Sequence, residues 1–220
     1  MAVMRHDDAW VDRDRSPKLT KEGKPGAYSQ ELVGAYSAFE NIDLADYLSV
    51  RGRATEVVAA DNPYAAALIS LHTANLLTER VDTSGFSAQE KVLHSTFLER
   101  QARRQGELAR LAGADLGSLR QPFEFLQACD SLSLTVCVRY PGPLPLRHAH
   151  PRVDGTREVI TCTPVGVDTY RLSPYPFDAD ALAFQVPCRR LRTLTFSTED
   201  QLREAYERAP QESLTLRLVR

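Results

Sequence analysis

Asp130 stands in the stretch LRQPFEFLQACDSLSLTVCVRY, residues 119–140. Phe123, Phe125, Leu126, Cys129, Leu132, Leu134, Val136, Cys137 and Val138 surround the axis of the helix this stretch predicts. A helix apolar on nearly all sides is a buried one. A buried carboxylate without a partner is costly, so Asp130 calls for a cation, strong donors or a metal ion. An arginine partner, or a capping role toward another helix, fits the same pattern. His72 lies in AAALISLHTANLL, residues 65–77, one turn from Leu68 and one from Leu76. Its ring is expected to be at least partly buried, either as a satisfied core histidine or as a ligand. A third element is the His6-Asp7 pair, followed by Asp8 and Trp10.

Together His6, Asp7, His72 and Asp130 give two imidazoles and two carboxylates on predicted helices. That donor set suits a divalent first-row metal such as Mn, Fe or Zn. Helix bundles build such sites from facing helices. Asp8 is the candidate general base, or a support for a ligand. Other histidines are weaker candidates. His148 and His150 form an HxH in PLRHAHPR, a Pro-rich connector expected to be exposed, and His94 lies on an amphipathic helix. The chain contains no P-loop, no GxGxxG and no GxSxG. The arginine clusters at 103–104 and at 189, 190 and 192 are expected to be solvated faces.

These residues must be positioned by the surrounding elements. Residues 11–30 are polar and turn-rich, with Ser16-Pro17, Gly23 and Pro25-Gly26 marking a long surface loop. Residues 31–60 read as one or two helices, with Leu44, Tyr47, Leu48, Val57 and Val58 facing inward. Asn62-Pro63 starts a helix that runs to about Thr78. Ser87-Ala88-Gln89-Glu90 is a capping box opening a helix to about Leu111, stopped by Gly113. Ser118 is read as the cap of the helix carrying Asp130. Residues 141–157 read as a connection. After it come short β-like runs at 158–163, 169–172, 182–186, 191–196 and 213–219, with one helix near 198–208 capped by Ser197. Strands gathered after helices indicate an α+β fold: a helical bundle over 1–140, then a small antiparallel β portion over 141–220.

Composition narrows the function classes. The chain has 220 residues, 43% hydrophobic and 25% charged, with net charge −2. The isoelectric point near 6.2 gives no electrostatic case for nucleic acid or an anionic membrane surface. Cys129, Cys137, Cys162 and Cys188 form no CxxC pair and are expected to be small buried hydrophobes in a reducing compartment. No signal peptide or apolar span is evident, so a cytoplasmic location is expected.

The motifs HDDAW (6–10), DNPYAAALISLH (61–72), CDSLSL (129–134) and YRLSPYPFDADAL (170–182) resemble a bacterial family, the domain of unknown function family numbered 3891. Its first motif is similar to HDxGW, with Ala9 here in place of glycine. The order His-Asp, His, Asp on helices also resembles the HD superfamily of metal-dependent phosphohydrolases. That resemblance implies an HD-like bundle with His6, Asp7 and Asp130 as ligands and His72 as an added ligand or phosphate contact. Both resemblances imply a further His-bearing segment ahead of the first motif. Without it His72 would replace the missing ligand, or the cluster would be only structural, and a homodimer could cover the bared face.

The sequence therefore leaves an enzyme open, a metal-dependent hydrolase of phosphate esters acting on a small-molecule substrate. It equally leaves open a non-catalytic metal- or ligand-binding module, and a structural His/Asp cluster.

Overall fold

In the computed structural model, residues 1–20, 22–26, 43–152 and 154–220 are described. Expectations that fall on 27–42 lie outside the described residues. Helix α1 (Ala2–Arg5) is a single turn, followed by a 3₁₀ turn (Asp8–Trp10) and α2 (Val11–Arg15). Four longer helices come next: α3 (Leu44–Ala59), α4 (Pro63–Glu79), α5 (Ala88–Leu111) and α6 (Arg120–Cys137). Strands β1 (Leu144–Pro151), β2 (Arg157–Gly166), β3 (Thr169–Ser173) and β4 (Ala181–Arg189) precede α7 (Glu199–Arg208) and β5 (Gln211–Val219). No helix among the described residues is long and apolar enough to cross a membrane.

Local chemistry explains where the long helices begin. The Asn62 side chain accepts from Ala65 N at 2.9 Å, and Pro63 occupies the first position, where no amide hydrogen is needed. Ser87 and Glu90 form the expected reciprocal capping box on α5. The helix stops at Gly113, whose φ of 65° is the left-handed conformation that glycine adopts without a side-chain clash. Ser118 does not cap α6. Its hydroxyl donates to the Asp115 carbonyl inside the preceding turn, and the helix begins at Arg120. Likewise Thr198, not Ser197, caps α7 by accepting from Gln201 N.

The helical core joins Ala54 and Val58 of α3, Ala65 to Ile69 of α4, Leu108 of α5 and Leu126 of α6. Small alanines on α4 let its neighbours approach closely. Of the inward candidates on α3, Val57 instead faces solvent. A second core sits under the sheet, where Val136 of α6 packs with Leu146, Cys162, Tyr170, Leu172, Leu216 and Leu218. Cys162 alone of the four cysteines is fully buried; Cys137 is exposed, and all four are free thiols.

The expected architecture needs correcting on two counts. The β portion is not antiparallel throughout. Its strand order is β1-β2-β3-β5-β4, a mixed sheet in which β3 and β5 run parallel while the other pairs are antiparallel. The physical cause is the return through α7, a crossover that lets β5 enter between β3 and β4. The second correction concerns the HD-like bundle. The His-Asp pair is not carried on a long helix. His6 ends the one-turn α1 and Asp7 opens the 3₁₀ turn, so the pair sits at the junction of two short turns. Two local expectations also change: the connector at 144–151 is strand β1, and 191–196 joins no strand among the described residues.

Candidate metal centre

Three segments remote in sequence meet at the site: the end of α1, the middle of α4 and the middle of α6. The Nδ1–H of His6 donates to the Val3 carbonyl at 3.0 Å, which fixes the ring and turns Nε2 inward. That Nε2 stands 3.3 Å from Asp130 Oδ1 and 3.1 Å from Asp7 Oδ2. His72 is 1% exposed and meets the His6 ring edge-on, with centroids 5.5 Å apart. Its Nε2 lies 3.8 Å from Asp130 Oδ2, beyond hydrogen-bond reach, and its Nδ1 is buried with no hydrogen-bond partner among the described residues. The Asp130 side chain is only 12% exposed. One donor atom each from His6, His72 and Asp130 lies within 4.8 Å of the other two.

The donor chemistry fits a divalent ion. Two ligands about 2.1 Å from one tetrahedral ion lie about 3.4 Å apart, close to the His6–Asp130 and His72–Asp130 separations. His6 also has the arrangement common for metal-binding histidines, its outer ring nitrogen held by a backbone carbonyl. The His72 imidazole is buried, and its Nε2 faces Asp130 without a hydrogen bond between them, as a ligand nitrogen would.

Electrostatics separate the two rings. Burial alone would push the His6 pKa down, but its hydrogen bonds to Asp130 and Asp7 outweigh that and raise it to about 10. Burial dominates at His72 and lowers its pKa to about 4, so this ring stays neutral at ordinary pH. Burial opposes ionisation of Asp7, yet His6 and Arg51 hold its carboxyl well below the usual range.

The remaining sequence candidates are placed as follows. Asp7 stands beside the triad, its Oδ1 3.1 Å from Arg51 Nη1. Arg51 also donates through Nε to the Tyr47 hydroxyl at 2.9 Å, with its guanidinium carbon 5.1 Å from the centre of the Trp10 ring. Asp8 accepts from Arg5 Nε at 2.8 Å, and Arg5 reaches Asp61 as well. The Nε2 of His94 donates to the Leu77 carbonyl, a structural role. His148 and His150 are not exposed connector residues: they lie half-buried on β1, bonded to Gln127 and to the Arg147 carbonyl. Sequence reasoning missed Arg51. The spacing of Tyr47 and Arg51, one helical turn apart on the buried face of α3, was the available signal.

A helical core bearing a buried His/His/Asp cluster, with a mixed sheet packed behind it, defines an α+β protein with a candidate metal centre. The chain matches the family model described as "Protein of unknown function (DUF3891)" over residues 1–193 and belongs to that family. No curated protein and no solved structure matches it.

Proposed function

We propose that His6, His72 and Asp130 bind one divalent first-row metal ion, Mn, Fe or Zn, and that the centre serves a hydrolase acting on phosphate esters. The observation that carries the metal reading is the convergence of one donor atom each from His6, His72 and Asp130 within 4.8 Å, with the Nε2 of the buried His72 facing Asp130 Oδ2 at 3.8 Å, beyond hydrogen-bond reach. Asp7, with Oδ2 3.1 Å from His6 Nε2, is the proposed fourth donor, and Asp8 the proposed general base. A bound ion would activate water and neutralise charge on a phosphoryl group. Within the chain, the Val3 carbonyl orients His6 and Arg51 orients Asp7. Three or four protein donors leave room for water or substrate on the ion.

A second reading is favoured by one observation. The Nε2 of His6 already has two carboxylates within reach, so a protonated His6 can tie Asp7 and Asp130 into a purely structural knot. Elemental mass spectrometry on protein purified without a His-tag separates the two. Near-stoichiometric Mn, Fe or Zn that disappears in Asp130→Ala supports the metal centre and directs a phosphatase and nucleotidase screen. Wild-type protein that holds no metal after incubation with each ion leaves the structural knot.

A further inference from the structure

Beside the His6–His72–Asp130 cluster, the seam between α4 and α6 carries a second layer of polar side chains. Asn75 lies three residues after His72 on α4, and Gln127 lies three residues before Asp130 on α6. That spacing puts both one turn along the seam, about 5–6 Å from the cluster between Cβ atoms. Gln127 Nε2 donates to Asn75 Oδ1 at 2.5 Å, and the Nε2 of His148 donates to Gln127 Oε1. Asn75 Oδ1 also accepts from Arg147 Nη2 at 2.8 Å. Strand β1 thus enters the helical seam with two adjacent side chains.

The backbone of β1 is shaped for this entry. Between Pro145 and Ala149 the register with β2 shifts, and His148 has a φ of 65°, which is costly for a residue with a side chain. Bulges of this kind re-aim side chains and recur next to functional sites. Here the distortion lets Arg147 and His148, neighbours in sequence, both reach the helices. Regular pleating would send them to opposite faces.

Arg147 is under-paired for its burial. Its side chain is 14% exposed, and its one carboxylate partner among the described residues is Glu79, at 3.4 Å and mostly in solvent. Both of its described side-chain bonds use Nη2, so Nε and Nη1 have no partner among the described residues. Burial, with Arg80 nearby, pushes its pKa down, the mark of a cation short of negative charge; Asp130 is close enough to act in the other direction.

We propose that Arg147 holds the oxyanion of a ligand against the His6–His72–Asp130 centre, with Asn75 and Gln127 fixing its guanidinium in place. The ligand class is a small molecule with a phosphate or carboxylate group, which displaces the exposed Glu79 carboxylate and takes the Nη1/Nη2 edge of the guanidinium with two parallel hydrogen bonds. The inference rests on the metal-centre reading and adds the group that selects the ligand.

The test is calorimetric titration of inorganic phosphate, and of acetate in parallel, into Mn-loaded protein, with metal content counted in every sample. Arg147→Gln is expected to keep wild-type metal content and to weaken oxyanion binding about tenfold or more. Arg147→Lys should restore little, because an ammonium offers a point charge and not a planar fork. Glu79→Gln should strengthen binding by removing the competing carboxylate, a gain that a merely structural Arg147 would not give. Preference for phosphate assigns a phosphoryl ligand, and parity with acetate a carboxylate; both retain Arg147. Wild-type protein that loads metal but binds neither anion, or an Arg147→Gln protein that binds both as wild type does, overturns the proposal alone. Failure of the wild type to load metal overturns the metal centre instead. If Arg147→Gln does not fold, Arg147→Lys and Glu79→Gln decide between the same outcomes.

Discussion

His72 Nε2 and Asp130 Oδ2 face each other across 3.8 Å in the interior, too far apart for a hydrogen bond and close enough to share an ion. The helices that carry them also contribute Ile69 and Leu126 to the core, so the gap is set by packing more than by attraction between the two groups.

Because the gap is held by packing, loosening the seam should disturb the centre. Leu126→Ala removes a fully buried side chain from the helical core. It is expected to cost about 2–5 kcal/mol of stability, read by urea denaturation, and to weaken metal retention as well.

The ligands should differ in weight. His72→Gln is expected to abolish metal binding. Asp7→Asn should lower affinity only about 10–100-fold, since Asp7 is tied outward to Arg51 as well as inward to His6. Competition with a chelator measures both; equal loss in the two variants would make Asp7 a full ligand.

Stability of the metal-free protein should peak near neutral pH. The pKa of His6 is raised to about 10, so its contribution is complete below its unfolded value of about 6.5 and is lost as pH rises toward 10. The pKa of His72 is lowered to about 4, so the unfolded chain takes a proton that the folded one refuses, and stability falls as pH drops from about 6.5 to 4. Urea midpoints across pH 4–10 test this, and His72→Gln should flatten the acid side alone.

Metal uptake should release a proton from His6. Below the raised His6 pKa, apparent affinity is therefore expected to climb about tenfold per pH unit. Calorimetry in buffers of different ionisation enthalpy counts the proton; a count of zero would mean that His6 stays protonated and does not ligate.

A control away from the centre is Ser87→Ala. It removes the capping box of α5 and is expected to cost about 1 kcal/mol without changing metal content.

The sequence made the site partly legible where the signal was local. Asn62-Pro63 and Ser87 to Glu90 mark helix starts because the capping groups sit within three residues of the amides they serve. Asp130 stood out because apolar residues surround it on its own helix. What joins distant segments left no such trace. The Asp7–Arg51 pair spans 44 residues. Strand β1 is hidden by Pro145, Pro151 and three basic or imidazole side chains, which an edge strand tolerates because one side of it needs no ladder. The run 191–196 has strand-like composition, yet β4 has already ended at Arg189, and Phe196 N donates instead to the Gly23 carbonyl. The place of β5 depends on pairing with β3 and β4, and composition within β5 cannot encode that choice.

The position of β5 also bears on how the chain is made. Strands β3 and β4 are synthesised early but are joined in the sheet through β5, which leaves the ribosome after both of them and after α7. Until it arrives, β3 and β4 each present an unpaired inner edge, and Leu172 and Tyr170 lack their cover from Leu216 and Leu218. The nascent chain can fold its helices as they emerge, but the sheet must close last, and that interval is when this protein is most open to chaperones and to misassociation with its own copies.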